Sequence, residues 1–124
     1  MKAKDFRSIA LGLEGAIESA HMGHPDFRAN GRIFATLHSD QLSGMVKLTP
    51  DQQQKFVREN PEAFTPENGA WGRAGSTKVR LDSVDEDTLG EAMTLAWQNS
   101  AAWKTAPPKK KTVGKPKRGE RTRA

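Results

Sequence analysis

Residues 24–50 read HPDFRANGRIFATLHSDQLSGMVKLTP and predict three short antiparallel strands around which the rest of the chain packs. Asn30-Gly31 separates the first strand from the second. A type I′ hairpin turn needs positive φ at both central residues, and this pair adopts it at low steric cost. A polar segment over residues 38–44 then precedes a third strand that contains Val46 and Leu48. We therefore expect a hairpin followed by one further strand.

Alternation along these strands predicts one buried and one solvated face of the sheet. We expect the buried face to carry Ile33, Ala35 and Leu37, paired across the ladder with Val46 and Leu48. The residues between them would point to solvent. These outward residues are Arg32, Phe34, Thr36 and Lys47.

Several short motifs, in order and spacing, make the chain resemble the MmcQ/YjbR-like family of small bacterial proteins. The motifs fall within residues 6–103 and are His24-Pro25-Asp26-Phe27-Arg28, residues 31–37, Val46-Lys47-Leu48, Pro61-Glu62-Ala63-Phe64, Gly69-Ala70-Trp71-Gly72 and Ala96-Trp97. The resemblance implies a YjbR/CyaY-like α+β fold, in which an antiparallel meander of short strands packs against helices. It also implies DNA binding. The family ends its first helix with Leu-Pro, whereas this chain has Leu13-Glu14, which leaves the end of that helix undetermined.

Composition limits the class of protein. The chain has no cysteine, which excludes disulfides and thiolate metal sites. No apolar run approaches the roughly 20 residues that a membrane-spanning helix needs. Residues 1–5 become polar too early for a secretory signal peptide. We therefore expect a cytoplasmic protein that does not associate with membranes.

The net charge of +5 is unevenly distributed along the chain. Residues 109–124 carry eight Lys or Arg and one acid, whereas residues 1–108 carry twelve Lys or Arg and fourteen acids. The C-terminal segment has Val113 as its only large apolar residue, too little to offset the entropy lost on ordering. We expect one domain over residues 1–106, followed by a disordered basic tail over residues 107–124.

Local signals outside the central strands predict the remaining elements. A helix capped by Asp5 should end near Leu13. Residues 16–22 could form a further helical turn or a short edge strand, and the family resemblance implies the extended form. The next helix should be capped by Thr49, with Gln52 as its capping-box partner, and should end near Asn60. A loop without elements of its own is expected over residues 61–76. A last strand over residues 77–81 and a helix from Asp85 to about Trp103 complete the domain.

Catalytic and metal chemistry have little support in the sequence. With no Cys or Tyr, no Gly-x-Ser-x-Gly motif and no Gly-rich phosphate loop after a strand, we expect neither an enzyme nor a cofactor. His21, His24, Asp26 and His38 could in principle assemble a metal site. A metal needs three or four converging ligands, so we favour the alternative that these histidines are exposed or hydrogen-bonded.

Trp71 lies among glycines and admits two interpretations. It could close the end of the core and hold its long loop in place, or it could stack on a nucleic-acid base. Base-stacking sites usually combine several aromatic residues. We favour the core position, and we expect Trp97 and Trp103 to pack from the final helix.

Cations provide the best functional signal. Arg28, Arg32, Lys47, Lys78 and Arg80 are all expected to point outward from one sheet, where they could hold phosphates. The alternative is a solvated face whose cations cover apolar surface with their stems. The complete set of predicted nucleic-acid-binding residues is Arg28, Arg32, Lys47, Trp71, Arg73, Lys78, Arg80, Lys109, Lys110, Lys111, Lys115, Lys117 and Arg118.

These observations predict a non-enzymatic protein that binds DNA or another polyanion through the sheet face and the basic tail. Low sequence specificity is expected, because no helix is rich in the Arg, Asn or Gln that read bases. The basic tail could instead serve only as a solubilising extension. The alternative function is a protein- or small-ligand-binding module that uses the Trp71 loop. A monomer is favoured.

Overall fold

A six-stranded antiparallel sheet forms the centre of the computed structural model, which describes residues 1–105 and the side chains of residues 1–101. The strands lie in the order β1-β2-β3-β4-β6-β5. Their bounds are Ile17–His21 (β1), His24–Ala29 (β2), Arg32–Leu37 (β3), Ser43–Lys47 (β4), Phe64–Pro66 (β5) and Ser76–Arg80 (β6). The helices are Ala3–Leu11 (α1), Pro50–Glu59 (α2), Gly69–Arg73 (α3) and Glu86–Thr105 (α4). The predicted α+β class and antiparallel meander are confirmed.

Two features of the sequence prediction lie outside the described part of the chain. One is the boundary at residue 106 with the basic tail that follows it. The other is the side chain of Trp103. Within residues 1–105, no helix is long and apolar enough to cross a membrane.

The hairpin between β2 and β3 forms as its sequence predicts. Asn30 has a φ of 57° and Gly31 a φ of 76°, the positive values that a type I′ turn requires. The Asn30 side chain also donates a hydrogen bond to Ser100 Oγ on α4, at 3.2 Å. The turn therefore connects the sheet to the last helix.

One face of the sheet, the helix face, is covered by α1 and α4. Phe27, Ala35 and Val46 lie side by side on this face in three neighbouring strands and are fully buried. From α1, Phe6 contacts Gly44 so closely that a Cβ there would come within 2.6 Å of its ring. From α4, Leu89, Ala92, Met93 and Ala96 complete the core, as predicted. We call the other face, which carries Met45 and Lys78, the open face.

A β-bulge changes which residues of β3 point to each face. Phe27 pairs with Ala35 but Arg28 pairs with Ile33, so Phe34 is an extra residue with no partner on β2. Phe34 is therefore 0% exposed, and Ile33 shares the open face with Arg28. The predictions for Ile33 and Phe34 are wrong, because strict alternation cannot anticipate an inserted residue. Those for Ala35 and Leu37 are confirmed.

Two of the four described helices, α2 and α4, begin as their local signals predict. Thr49 Oγ1 accepts the Gln52 N–H, and Gln52 Oε1 accepts the Thr49 N–H, which is the predicted capping box. The Thr88 N–H donates to Asp85 at the start of α4, and this bond lowers the pKa of the Asp85 carboxyl. The first helix differs from its prediction, since α1 begins one turn earlier and Lys2 occupies the cap position. Asp5 accepts the Lys2 N–H from the third helical position instead.

Residues 61–76 were predicted to be a loop, but this segment contains both β5 and α3. β5 pairs with β6 through Phe64 and Val79, so that the segment extends the sheet by one strand. The short α3 follows and places Trp71 beside the open face. At the opposite edge, β1 forms where extended structure was predicted, and all five of its residues are exposed.

Candidate functional site

A cavity of about 420 Å³ lies on the open face, between the end of the β1–β2 hairpin and α3. We call it the sheet-face pocket. All three histidines of the chain line it, together with one tryptophan, one lysine and one glutamate. The complete lining is His21, His24, Ile33, Thr36, His38, Met45, Lys47, Glu67, Asn68, Trp71 and Ser76. Its volume lies within the roughly 300–1,000 Å³ that small-molecule sites occupy.

The apolar part of the pocket depends on the bulge in β3. Because Phe34 is inserted, Ile33 lies on the open face, near Met45 of β4. Both side chains are half-buried. With regular alternation, Ile33 would enter the core and an aromatic ring would lie in its place. The bulge thus gives the pocket an aliphatic lining.

Trp71 forms a wall of the pocket and is 69% exposed. The prediction that it fills the end of the core is wrong. Phe64 takes the buried aromatic position of this segment, with its ring 5.1 Å from that of Phe56. Trp71 is left on the solvent side of the short α3, where it offers an aromatic surface to the pocket.

Two tight contacts fix the position of α3. A Cβ on Gly72 would lie 1.7 Å from the Glu67 carbonyl oxygen. The helix and the chain that precedes it therefore pack too closely for any residue other than glycine at this position. Gln53 is buried and its amide nitrogen donates to the Gly72 and Ser76 carbonyls, at 2.9 and 3.1 Å. The backbone on both sides of Trp71 is therefore held in place beside the pocket, which lowers the entropy cost of binding a ligand there.

Lys47 brings a positive charge to the same wall. Its ammonium nitrogen lies 5.5 Å from the centroid of the Trp71 ring, within the range of a cation–π contact. The register of β4 and β6 places Lys47 opposite Ser76, at the pocket end of the ladder. The pocket therefore combines an aromatic surface with a cation beside it.

A carboxylate beneath the pocket holds His21 and Arg28. Asp26 is 0% exposed although it points to the open face. Its Oδ1 accepts Arg28 Nε–H at 2.8 Å, and its Oδ2 lies 3.1 Å from Arg28 Nη2 and 2.7 Å from His21 Nδ1. These bonds, first that from Arg28 and then that from His21, outweigh burial and lower the pKa of Asp26.

His38 is held at both ring nitrogens. Its Nδ1 lies 2.7 Å from Ser43 Oγ, and its Nε2 lies 3.2 Å from Glu67 Oε2. A serine, a histidine and a glutamate in contact suggest a nucleophilic triad. However, Ser43 is only 4% exposed and does not line the pocket, so its hydroxyl cannot reach a bound molecule there.

His24 completes the histidine group, with its ring centroid 6.2 Å from that of His21. Its Nδ1 is buried and has no hydrogen-bond partner. Within residues 1–105, no three His, Asp or Glu side chains converge as metal ligands. The histidines were considered as metal ligands or as exposed and hydrogen-bonded residues. In the structure His21 and His38 are hydrogen-bonded to neighbouring side chains.

The five predicted sheet cations separate into two groups. Arg28, Arg32 and Lys47 line a depression of about 310 Å³ together with Gly31 and Ile33, which we call the basic depression. Lys78 and Arg80 line a different depression, which also contains Asp40 and Asp82. Arg80 lies 3.5 Å from Asp82. The five cations therefore line two different depressions, and the second depression also contains acidic residues.

The remaining predicted residues divide between α3 and the tail. Arg73 is exposed in the last turn of α3, two residues from Trp71. The six tail cations lie outside the described residues: Lys109, Lys110, Lys111, Lys115, Lys117 and Arg118. Sequence reasoning missed Ile33, Met45, His38 and Glu67 as neighbours in one pocket. The apolar Phe34 at a supposedly solvated position was the available signal for the bulge.

Comparison with known proteins identifies the family. The YjbR family model matches residues 11–99, which is most of the chain. A search of curated proteins finds no match. Among solved structures, a crystal structure of Deinococcus radiodurans protein DR2400, a DUF419 domain, is similar over 87% of this chain and 81% of that chain. The TM-score is 0.64 and the identity 20%, which supports a common fold. The chain belongs to the YjbR family.

Proposed function

We propose that the protein is a non-enzymatic binding protein whose sheet-face pocket takes a small ligand with a planar aromatic group. One observation carries the proposal: Trp71 is 69% exposed and yet lies on a helix held by tight packing over a cavity of about 420 Å³. An apolar surface rimmed by polar residues is typical of a ligand site. A ring stacked on Trp71 and resting on Ile33 and Met45 would remove this surface from water.

The hydrogen bonding of the pocket favours binding over catalysis. Asp26 is used by Arg28 and His21, and Glu67 is used by His38. A general base must reach the proton of a bound substrate, whereas these carboxylates hold neighbouring side chains in place. We interpret the two carboxylate–histidine pairs as supports that fix the rim of the pocket.

Nucleic-acid binding is a second candidate, supported by the exposure of Trp71 beside Lys47. A base of a single strand could stack on this ring, since every base has an aromatic face. Binding of duplex DNA by the sheet has less support, because the five cations are divided and Arg28 already pairs with Asp26. The basic tail remains a predicted contact for any polyanion. Low sequence specificity is expected for both routes.

Isothermal titration of the full chain with 2-naphthol and indole tests the leading proposal. Stacking on an aromatic side chain contributes roughly 1–3 kcal/mol, so Trp71→Ala should weaken binding of either probe by about tenfold or more. Leu42→Ala is the matched control, because Leu42 is 70% exposed and lies outside the pocket. The proposal is wrong if neither probe binds, or if the two variants affect affinity equally. Oligo(dT) binding that is lost in Trp71→Ala, without binding of either small probe, would favour the second candidate.

A further inference from the structure

The basic depression and the sheet-face pocket are adjacent and share two residues, Ile33 and Lys47. The depression lies at the turn end of β2 and β3, where Gly31 leaves its floor without a side chain. Ile33 and Lys47 border both cavities, so a ligand that extends over these two side chains would contact the pocket and the depression together. The two cavities thus lie side by side, one with an aromatic wall and the other lined by cations.

The cations of the depression are suited to hold an anion. Arg28 donates Nε–H and one Nη2–H to the buried Asp26, which fixes the plane of its guanidinium. A guanidinium has five N–H donors, so three are left after these two bonds. Arg32 is exposed at the rim, and Lys47 stands between the depression and the Trp71 ring. Such donors form charge-assisted hydrogen bonds with carboxylate or phosphate oxygens.

From this juxtaposition we infer that the ligand is a planar aromatic compound with an attached phosphate or carboxylate. The ring occupies the sheet-face pocket against Trp71, and the anionic group occupies the basic depression. The inference rests on the proposed function, since it names the ligand class of the same site. The described residues that line the depression include Arg28, Arg32 and Lys47 and no acidic residue, which favours a doubly charged phosphate over a carboxylate.

The test compares matched probes on the full chain by isothermal titration at pH 7. The probes are 2-naphthyl phosphate, its uncharged parent 2-naphthol, and inorganic phosphate. We expect 2-naphthyl phosphate to bind about tenfold tighter than 2-naphthol, as charge-assisted bonds require, and inorganic phosphate to bind much more weakly than either. The advantage of the phosphate should decrease as salt is raised, because solvent-exposed charges are screened.

Two variants test whether the cations of the basic depression cause the tighter binding of 2-naphthyl phosphate. Arg32→Gln and Lys47→Met should each weaken 2-naphthyl phosphate about tenfold, and Arg32→Gln should leave 2-naphthol affinity within twofold. Arg58→Gln and Lys4→Met make the same chemical changes on exposed residues outside both cavities and should change neither affinity. Arg28 is left intact in this test because it also supports Asp26.

The outcomes separate this inference from the proposed function. The inferred anion site would be wrong if 2-naphthyl phosphate and 2-naphthol bind with equal affinity. It would also be wrong if Arg32→Gln weakens 2-naphthyl phosphate no more than Arg58→Gln does. In both cases the proposed aromatic site would still be supported. Binding of neither aromatic probe would overturn both. Adenosine monophosphate and 2-naphthoate test which ligand of this class the site prefers. Tighter binding of adenosine monophosphate would favour a nucleotide, and tighter binding of 2-naphthoate would favour a free aromatic carboxylate. Both results support the inferred class.

Discussion

The close packing of α3, on which the position of Trp71 depends, is most directly perturbed by Gly72→Ala. The added Cβ would lie 1.7 Å from the Glu67 carbonyl oxygen, whereas ordinary contact begins near 3.4 Å, so the two segments must separate by well over 1 Å. Forcing a methyl group into packed structure costs roughly 1–3 kcal/mol. Separation also strains the bond from Gln53 to the Gly72 carbonyl, a buried hydrogen bond worth about 1 kcal/mol.

Alanine recovers part of this loss through its lower backbone entropy in the unfolded chain, about 0.4–1 kcal/mol. The expected net destabilisation is therefore about 2–3 kcal/mol. With a urea slope of roughly 1–3 kcal/mol/M, the unfolding midpoint should fall by about 1–2 M. The 2-naphthol affinity should fall as well, because Trp71 moves with the helix.

Gly90→Ala is the matched control, because Gly90 lies within α4 and a Cβ there would contact nothing within 4 Å. Alanine is favoured over glycine in a helix by roughly 0.8–1 kcal/mol, so this variant should be more stable than the wild type. Opposite signs for the same substitution would support the packing of α3. A Gly72→Ala midpoint at or above that of the wild type, at equal slope, would refute it.

Further predictions concern stability and the tail. Gly31→Val should cost roughly 1–2 kcal/mol because a β-branched residue resists the φ of 76°; an unchanged urea midpoint at equal slope would count against the turn. Trp71→Ala should change the free energy of unfolding by less than about 0.5 kcal/mol, since the ring is mostly exposed; a loss near 3 kcal/mol would restore the core position. Hydrogen bonds from Arg28 and then from His21 lower the pKa of the Asp26 carboxyl below its ordinary value. The ionised carboxylate therefore stabilises the fold at pH values above its pKa in the unfolded chain, and this stabilisation is lost as the pH falls through its pKa in the folded protein. Urea unfolding at pH 6 and pH 3 should therefore show a larger loss for the wild type than for Asp26→Asn, and parallel losses would contradict the assignment. A chain ending at Pro108 has two more acids than Lys and Arg, so its oligo(dT) affinity should fall in mobility-shift assays but persist at low salt; complete loss would leave the tail as the polyanion site.

Local signals in the sequence were sufficient for much of the fold. The Asn30-Gly31 turn and the capping box at Thr49 depend on the conformational preferences and hydrogen bonds of adjacent residues, and both form as predicted. Strand β6 alternates cleanly, with Val79 buried and Arg80 exposed. Features of this kind are encoded within a few residues, which is why one sequence reveals them.

The site depends on contacts between distant segments. The exposure of Trp71 follows from bonds that Gln53 makes 19 to 24 residues away, and no local pattern encodes them. The bulge at Phe34 reverses one position of an otherwise regular alternation, which turned Ile33 from a predicted core residue into a pocket residue. The pairing of Arg28 with the buried Asp26 was likewise hidden, although the two-residue spacing places both on one face.

The most direct test of the central claim is a ¹H–¹⁵N correlation titration of the full chain with 2-naphthyl phosphate. The claim is that the sheet-face pocket binds the aromatic group against Trp71. We predict saturable shifts of the Trp71 indole N–H and of the Ile33, Met45 and Lys47 amides. The amide of Leu42, which lines the separate depression of Lys78 and Arg80, should change little. Shifts confined to residues outside the pocket, or no saturable shift of the Trp71 indole, would contradict it.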